Sequence, residues 1–414
     1  MTSRQRILAG IEHREPDRIP LDLGATPSSG ISAIAYNNLK KHLGIDGGAT
    51  KVYDVVQQVV QVEDCIIERF DVDVIDIGRA FNDKESDWYD IYLADGGTAQ
   101  YPKWFTPQRK ENGGYEVYDK DGLLIAKMPA GATFFDQMHF PYLDGYPDDY
   151  KELGSAMNKV LWQALAHSPW DSAGLPDFYS ILRERALRLR ENTDKALMIV
   201  CGCNLFEWGT FLRRMDNFLM DIYTAADEVE RLLDNLMERH LETLKNVCEC
   251  VGDVVDILRF GDDLGMNTGL FMSPEKYRSI FKPRHKKLCD YVHTHSGMKT
   301  FLHSCGSIYA IIGDLIEAGY DIINPVQTSA SDMAPEKLKK EFGRDITFWG
   351  GGCNTRSVLN RATPGEVYEY TSRMLDIFAP GGGFVFNQEH NIMPDVPPQN
   401  IMAMYKAVKD FGSA

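Results

Sequence analysis

Short apolar runs alternate with helical patterns along most of this chain. Eight runs have the length and composition of buried β-strands, and amphipathic stretches of helical period lie between the later ones. Regular alternation predicts the α/β class and a parallel (β/α)8 barrel, with a doubly wound open sheet as the alternative. No G-x-G-x-x-G follows the first run, which disfavours a dinucleotide fold. The predicted strands are residues 19–23, 74–77, 196–201, 255–259, 299–304, 322–326, 347–350 and 383–387, and the predicted later helices are 274–295, 308–318, 334–342 and 364–378.

One segment, residues 82–145, replaces the helical pattern with turn sequences: ADGG at 94–97, ENGGY at 111–115 and DKDG at 119–122. These turns predict β-hairpins, so we expect a single barrel domain over residues 1–414 with a β-hairpin insertion after the second strand. The segment is also rich in aromatic residues. They could form a lid that holds an apolar or aromatic substrate away from water, or they could be the core of a small β subdomain. The aromatic residues are Trp88, Tyr89, Tyr92, Tyr101, Trp104, Phe105, Tyr115, Tyr118, Phe134, Phe135, Phe140 and Tyr142.

The composition is that of a globular enzyme, with 44% hydrophobic and 25% charged residues among 414. A net charge of −16 argues against a nucleic-acid partner and against binding to an anionic membrane surface. We find no run of 18 apolar residues and no apolar signal core at the start. Eight cysteines without a disulfide-scaffold pattern suit a reducing compartment, so we expect a cytoplasmic protein.

Polar residues follow or end many of the predicted strands. In a parallel barrel these strand ends meet at one mouth, which is where active sites lie. We therefore expect Glu207, Asp262, Asp263 and His390 to be candidate catalytic residues that handle protons, although Asp262 and Asp263 could instead cap a helix. The expected substrate-binding residues are Asp22, Asn204 and Gln327.

A His-x-Cys pair, His303 and Cys305, ends the fifth predicted strand, and Cys353 follows the seventh. In an extended chain, residues two apart point to the same face, so His303 and Cys305 can reach one point. One imidazole and two thiolates form a three-ligand zinc set that leaves a fourth position open for chemistry. The sequence therefore predicts a zinc site at the barrel mouth, and the alternative is a buried histidine beside inert thiols.

Several segments, among them 14–20 (REPDRIP), 261–265 (GDDLG) and 395–398 (DVPP), are together typical of one known family. On these segments the chain resembles the uroporphyrinogen decarboxylase superfamily along nearly its whole length. True uroporphyrinogen decarboxylases have an R-Q-A-G-R segment soon after the first strand to hold the porphyrinogen carboxylates. The matching residues 23–29 (LGATPSS) contain no arginine, so turnover of that substrate is not expected. The resemblance is carried by residues 6–10 (RILAG), 14–20 (REPDRIP), 206–208 (FEW), 219–221 (LMD), 261–265 (GDDLG), 386–387 (FN), 390–392 (HNI) and 395–398 (DVPP).

The other branch of this superfamily, the corrinoid-dependent methyltransferases, uses H-x-C and a distant cysteine as zinc ligands. His303 and Cys305 match the first part. The coenzyme M methyltransferases of this branch place the distant cysteine in a glycine-rich turn after the last strand. The matching turn here, residues 380–383, has no thiol, and Cys353 stands one strand earlier. The resemblance implies a zinc-dependent enzyme that moves a methyl group between a small molecule and a corrinoid. Because no D-x-H-x-x-G corrinoid motif occurs, the corrinoid must be bound by a partner protein.

The direction of transfer stays open at this point. A zinc-bound thiolate suits a thiol acceptor, whereas a Lewis-acidic zinc and an aromatic lid suit O-demethylation of a methyl ether, or transfer from an amine, in anaerobic C1 metabolism. Two other hypotheses remain: a decarboxylase of a smaller carboxylated substrate, and a barrel that binds a ligand without turning it over.

Overall fold

The structure, a computed structural model, describes residues 1–412 and contains a curled sheet of parallel strands. Consecutive strands along the chain are neighbours in this sheet, and each strand lies close to its predicted position. We number the barrel strands in chain order, with the segment around Leu21 as the first. The second to eighth strands are Val74–Asp76, Ala196–Gly202, Ile257–Gly261, Lys299–His303, Ile322–Asn324, Thr347–Trp349 and Phe384–Val385.

The segment around Leu21 closes the barrel. Leu21 forms a parallel bridge with Phe386, next to the eighth strand, and its carbonyl accepts a hydrogen bond of 2.8 Å from Asp73 N, next to the second strand. The segment therefore occupies the gap between the two ends of the sheet. The predicted (β/α)8 barrel is confirmed, and its first strand is reduced to a single bridge.

Alternation along the strands separates two apolar layers. Alternate strand residues, among them Ile257, Phe301 and Trp349, form the interior of the barrel, which Ile7 and Ile11 of the first helix close at one end. The residues between them, such as Leu258 and Leu302, face the surrounding helices. Arg259 of the fourth strand and His303 of the fifth therefore face inward, each two residues beyond an interior residue, Ile257 or Phe301.

Local signals account for the helix limits. Thr363 caps the helix Pro364–Phe378, because its hydroxyl accepts from Glu366 N while the Glu366 carboxylate accepts from Thr363 N. Within residues 1–412, no helix has both the length and the apolar character needed to cross a bilayer. The α-helices are Ser3–Ile11, Ala33–His42, Asp64–Arg69, Leu153–Met157, Leu161–Ala164, Phe178–Glu191, Phe206–Arg213, Met215–Thr224, Ala226–Val251, Pro274–Lys276, Lys282–His295, Ile312–Ala318, Pro335–Phe342, Pro364–Phe378 and Pro398–Asp410; Tyr277–Phe281 is a π-helical turn, and Ile77–Ala80, Glu85–Asp87, Trp170–Ser172 and Tyr309–Ile311 are 3-10 turns.

Antiparallel strands fill the segment 82–145. One hairpin pairs Trp88–Tyr92 with Thr98–Pro102, and a separate sheet is formed by Gln108–Arg109, Tyr115–Tyr118, Leu124–Met128 and Asp136–Gln137. Several of its aromatic rings pack on one another: Phe105 lies 5.0 Å from Tyr101 and 5.7 Å from Phe135 between ring centroids. Much of the aromatic content therefore forms a local core. Two short hairpins lie elsewhere, Val52–Asp54 with Val59–Val60 and Gly265–Met266 with Gly269–Leu270.

Candidate active site and metal centre

A cavity of about 670 Å³ opens at the carboxyl ends of the third, fourth, fifth and eighth strands. We call it the mouth cavity. Its lining contains acidic and basic groups and a set of aromatic rings, which we call the aromatic wall. The principal polar side chains are Asp54, Asn204, Glu207, Arg239, Arg259, Asp263, His303 and His390, and the aromatic ones are Phe134, Trp162, Trp170, Tyr179, Trp208 and Phe211.

Three potential metal ligands meet at the floor of the mouth cavity: His303, Cys305 and His390. Their ligand atoms lie within 4.8 Å of one another, and Cys305 Sγ is 3.4 Å from His303 Nε2. Ligands of a tetrahedral zinc with Zn–N near 2.0 Å and Zn–S near 2.3 Å lie roughly 3.3–3.7 Å apart. The donor set of two imidazoles and one thiol therefore fits zinc after small side-chain movements.

A hydrogen-bond chain determines which nitrogen of His303 faces this group. Asn324, on the sixth strand, donates from Nδ2 to the Trp349 carbonyl at 2.8 Å, which turns its Oδ1 toward His303. His303 Nδ1 lies 2.6 Å from that oxygen and must carry the proton. The lone pair is then on Nε2, the atom that points to Cys305, and a metal-binding histidine needs this tautomer.

Burial keeps both histidines neutral. It lowers the pKa of His303 to about 3, with the positive charge of Arg259 adding to the effect, and it lowers the pKa of His390 to about 3. Burial, together with Asp263 and Glu207, raises the pKa of the Cys305 thiol well above its usual value. A cation at this point would reverse that shift, because a coordinated thiol loses its proton.

Polar side chains around His390 anchor the loop that holds it. Gln388 Nε2 donates to the carbonyls of Ser29 and Gly30 at 3.2 and 3.3 Å, and Asn391 Oδ1 accepts from Gly30 N at 2.8 Å. The loop after the eighth strand is thereby attached to the loop after the first. His390 was expected to handle protons; its position beside His303, with 5.7 Å between ring centroids, makes it a ligand candidate instead.

The structure corrects the predicted third ligand, Cys353. Its side chain is fully buried in the apolar layer between strands and helices, next to Thr371 of the helix Pro364–Phe378. Burial raises the pKa of this thiol to about 12. Cys353 therefore lies outside the group formed by His303, Cys305 and His390.

The adjacent carboxylates Asp262 and Asp263 have different surroundings. Asp262 is fully buried and accepts hydrogen bonds from the backbone N–H groups of Leu205, Phe206 and Glu207 at 2.9–3.2 Å. It thus caps the helix Phe206–Arg213, as in the helix-cap alternative, but on an element that precedes it in the chain. Asp263 lines the mouth cavity, and its Oδ1 accepts from Cys305 N at 2.8 Å.

Asp262 also belongs to a buried polar chain. His285 Nε2 lies 3.0 Å from Asp262 Oδ2, and His285 Nδ1 lies 3.1 Å from the Tyr277 hydroxyl. This chain runs behind the cavity wall and supports the helix that carries Glu207.

Glu207 and Asn204 lie together in the cavity wall, as expected. Asn204 Nδ2 donates to Glu207 Oε2. Burial and the nearby Asp263 and Asp262 raise the pKa of Glu207 well above its usual value, and burial also raises the pKa of Asp263. The surroundings of both groups therefore favour the protonated form, and Glu207 Oε1 makes no hydrogen bond to Asn204.

Two predicted substrate-binding residues have structural partners. Asp22 is fully buried and accepts from the Trp349 indole at 2.8 Å and from Ala25 N at 2.9 Å, and burial raises its pKa to about 6. Gln327 accepts from Gly306 N at 3.0 Å and donates to Asn267 at 2.9 Å. Within residues 1–412, neither residue lines the mouth cavity.

Arg259 was not among the predicted site residues, although its position in an apolar strand indicated an inward-facing side chain. Arg259 stands in an apolar strand with the same parity as the interior residue Ile257, so its side chain had to enter the barrel. It lines the mouth cavity next to Glu207 and Asp263.

The aromatic wall comes mainly from helices after the hairpin segment. Phe134 is the cavity-lining aromatic residue that we find in segment 82–145, and Trp162 and Trp170 follow that segment. Trp208 and Phe211 come from the helix that Asp262 caps. The lid function of the hairpins therefore stays a prediction, supported by Phe134.

Comparisons with known proteins agree with this geometry. The sequence profile of the uroporphyrinogen decarboxylase (URO-D) family matches residues 203–411. A uroporphyrinogen decarboxylase from Magnetococcus marinus is 28% identical over 103 residues, which are 25% of this chain and 27% of that protein. The chain thus aligns with about a quarter of that relative's length.

Two solved structures were compared with the whole chain. A methyltransferase from Methanosarcina mazei superimposes with a TM-score of 0.59 and 15% identity over 99% of both chains, which shows a common fold. A B12-independent methionine synthase from Shewanella sp. W3-18-1 gives a TM-score of 0.37 and 11% identity over 83% of this chain and 84% of that one.

Proposed function

The chain belongs to the uroporphyrinogen decarboxylase family, and from this premise we propose that it is a zinc-dependent methyltransferase that exchanges a methyl group between a small molecule and a corrinoid on a partner protein. The observation that carries the proposal is the group of His303, Cys305 and His390 at the mouth cavity, which the two histidines line. The neighbouring fold is described as a methyltransferase, which agrees with this assignment.

Decarboxylation of uroporphyrinogen fits the cavity poorly. The loop at residues 23–29, where that activity would need arginines, is closed by its own hydroxyls: Thr26 N donates to Ser29 Oγ, and Ser28 N donates to Thr26 Oγ1, both at 3.1 Å. Asp54, Glu207 and Asp263 line the same cavity. A substrate with eight carboxylates would meet too few positive charges there.

Different residues of the chain would hold the metal and supply the proton. His303, Cys305 and His390 would hold zinc, and Asn324 would orient His303. Zinc bound there would supply a Lewis acid, or a centre that keeps a thiolate reactive at neutral pH. Glu207, in its protonated form, would donate a proton to the leaving group of a demethylated donor, and the aromatic wall would exclude water.

Elemental analysis of the purified protein tests the metal site first. We expect about one zinc per chain. The second test incubates the protein with a corrinoid carrier protein and a panel of methyl ethers, methylamines and thiols, and follows the visible spectrum of the corrinoid. A zinc-dependent spectral change with one compound supports the function. Stoichiometric zinc without a spectral change for any compound would leave a ligand-binding barrel instead.

A further inference from the structure

Arg259 is an arginine inside the barrel that ends in the mouth cavity. It stands on the fourth strand between Ile257, part of the apolar interior, and Gly261. Its guanidinium is therefore held at the cavity floor, where an unpaired positive charge is costly unless a partner compensates it.

The chain itself supplies few partners for this guanidinium. Nη2 donates to Ser28 Oγ at 2.9 Å, and Nε is buried without an acceptor. Among residues 1–412, no carboxylate oxygen lies within 4.0 Å of its nitrogens. Arg259, which lines the mouth cavity, thus makes a single hydrogen bond within the described residues.

The carboxylates of the cavity wall are engaged in other hydrogen bonds. Asp54 accepts from the side-chain amide of Gln57 at 2.7 Å and from two backbone N–H groups. Glu207 accepts from Asn204, and Asp263 accepts from Cys305 N. None of these carboxyl groups is hydrogen-bonded to Arg259, so its hydrogen-bonding capacity remains available to a group that enters the cavity.

The strand makes room for the guanidinium. Gly261 points inward two residues beyond Arg259, and a Cβ there would lie 2.9 Å from Asn204 Nδ2 and 3.3 Å from Arg259 Nη1. A side chain at position 261 would push both groups out of place. The absence of a side chain at Gly261 lets the arginine and the amide share one surface of the cavity.

We propose that Arg259 is the anion-binding residue of the mouth cavity and that it selects a small ring compound with one carboxylate group. The planar fork of the guanidinium matches a carboxylate, and the aromatic wall of the same cavity, with Trp162, Trp208 and Phe211, matches a ring. Ser28, in the loop after the first strand, orients Arg259 by accepting a hydrogen bond at its hydroxyl.

This inference deepens the proposed function by naming the substrate class, and it rests on that function only for the reaction. Binding requires neither zinc nor a corrinoid protein. Calorimetric titration with 3-methoxybenzoate and its uncharged counterpart 3-methoxybenzamide therefore tests it directly. We expect the carboxylate to bind about ten- to a hundredfold more tightly than the amide, the range of a charge-assisted arginine pair.

Variants of the protein locate the preference. Arg259→Gln should bind the two compounds equally, and Arg259→Lys should retain part of the preference. Arg183→Gln, which removes an arginine paired with Asp253 outside the mouth cavity, should behave as the unmodified protein does. Equal binding of acid and amide by the unmodified protein would overturn the proposal, even if Arg259→Gln fails to fold. A preference that persists in Arg259→Gln would overturn it as well.

The outcomes separate this inference from the proposed function. A carboxylate preference that depends on Arg259, without methyl transfer from any compound, supports the anion site and contradicts the methyltransferase. Methyl transfer from uncharged donors, without a carboxylate preference, supports the methyltransferase and contradicts the anion site.

Discussion

The wall of the mouth cavity and the packing directly behind it contain the same kinds of residue in different roles. Cys305 belongs to the candidate ligand group with His303 and His390, whereas Cys353 lies in the apolar layer, and both cysteines follow a barrel strand. Asp263 faces the cavity, and its neighbour Asp262 caps a helix. Residue type and position near a strand end therefore do not distinguish chemistry from support; the direction in which the chain leaves the strand does.

The glycines after the seventh strand show how this direction is set. Gly350 and Gly351 have φ of +123° and +70°, and a Cβ at Gly350 would lie 2.1 Å from the Pro325 carbonyl oxygen. Only glycine allows this close turn, which ends the alternation of the strand. Cys353 consequently enters the layer behind the barrel, while Cys305, two residues after inward-facing His303, stays at the mouth.

The largest expected effect is a difference in zinc content between variants of the two cysteines. Cys305→Ala should lose the metal, because two imidazoles alone hold zinc far more weakly than a set that includes a thiolate. Cys353→Ala should keep about one zinc per chain. Elemental analysis after dialysis measures both. Full zinc in Cys305→Ala, or zinc lost from a folded Cys353→Ala, would mean that the ligand group has been assigned incorrectly.

The barrel and two of the three candidate metal ligands could be predicted from the sequence, because both depend on local periodicity. Strand runs reveal the barrel, and the i, i+2 spacing of His303 and Cys305 places two donors on one face. His390 as a ligand could not be predicted, because its loop is held by Ser29 and Gly30 from the other end of the chain. The same applies to Asp262, whose capped helix lies more than fifty residues earlier.

The adjacent aspartates should differ in their effect on stability. Asp262→Ala removes the acceptor of three N–H groups and the partner of His285, so we expect the free energy of unfolding to fall by about 3 kcal/mol. Asp263→Ala removes a carboxylate with one backbone partner and should cost less than about 1 kcal/mol. Urea denaturation measures both; equal losses would contradict the separate roles.

A variant of Asn324 tests whether a residue that does not line the cavity influences zinc binding through His303. Asn324→Ala removes the acceptor of His303 Nδ1 and frees the ring to adopt the other tautomer. We expect zinc affinity to fall by about 10- to 100-fold, as for other groups that orient metal ligands. Competition with a zinc chelator measures this, with Asn400→Ala as the control, because this buried amide donates to the Leu359 and Ala362 carbonyls and does not line the mouth cavity. Unchanged affinity in Asn324→Ala would show that packing alone orients His303.

The smallest effect concerns two tryptophans of equal exposure. Trp162 and Trp104 are each 38% exposed. Trp162 lines the mouth cavity and packs against Phe211. Trp104 donates a hydrogen bond from its indole to Asp171 at 3.0 Å and packs on Phe105. If the cavity binds a ring, Trp162→Ala should weaken 3-methoxybenzoate binding by about 1 kcal/mol, or roughly fivefold. Trp104→Ala should change it less than about twofold, because its ring contacts the hairpin core. Calorimetric titration of both variants decides the point. A larger loss in Trp104→Ala would place the ligand under the hairpins and make them the lid that their aromatic content first indicated.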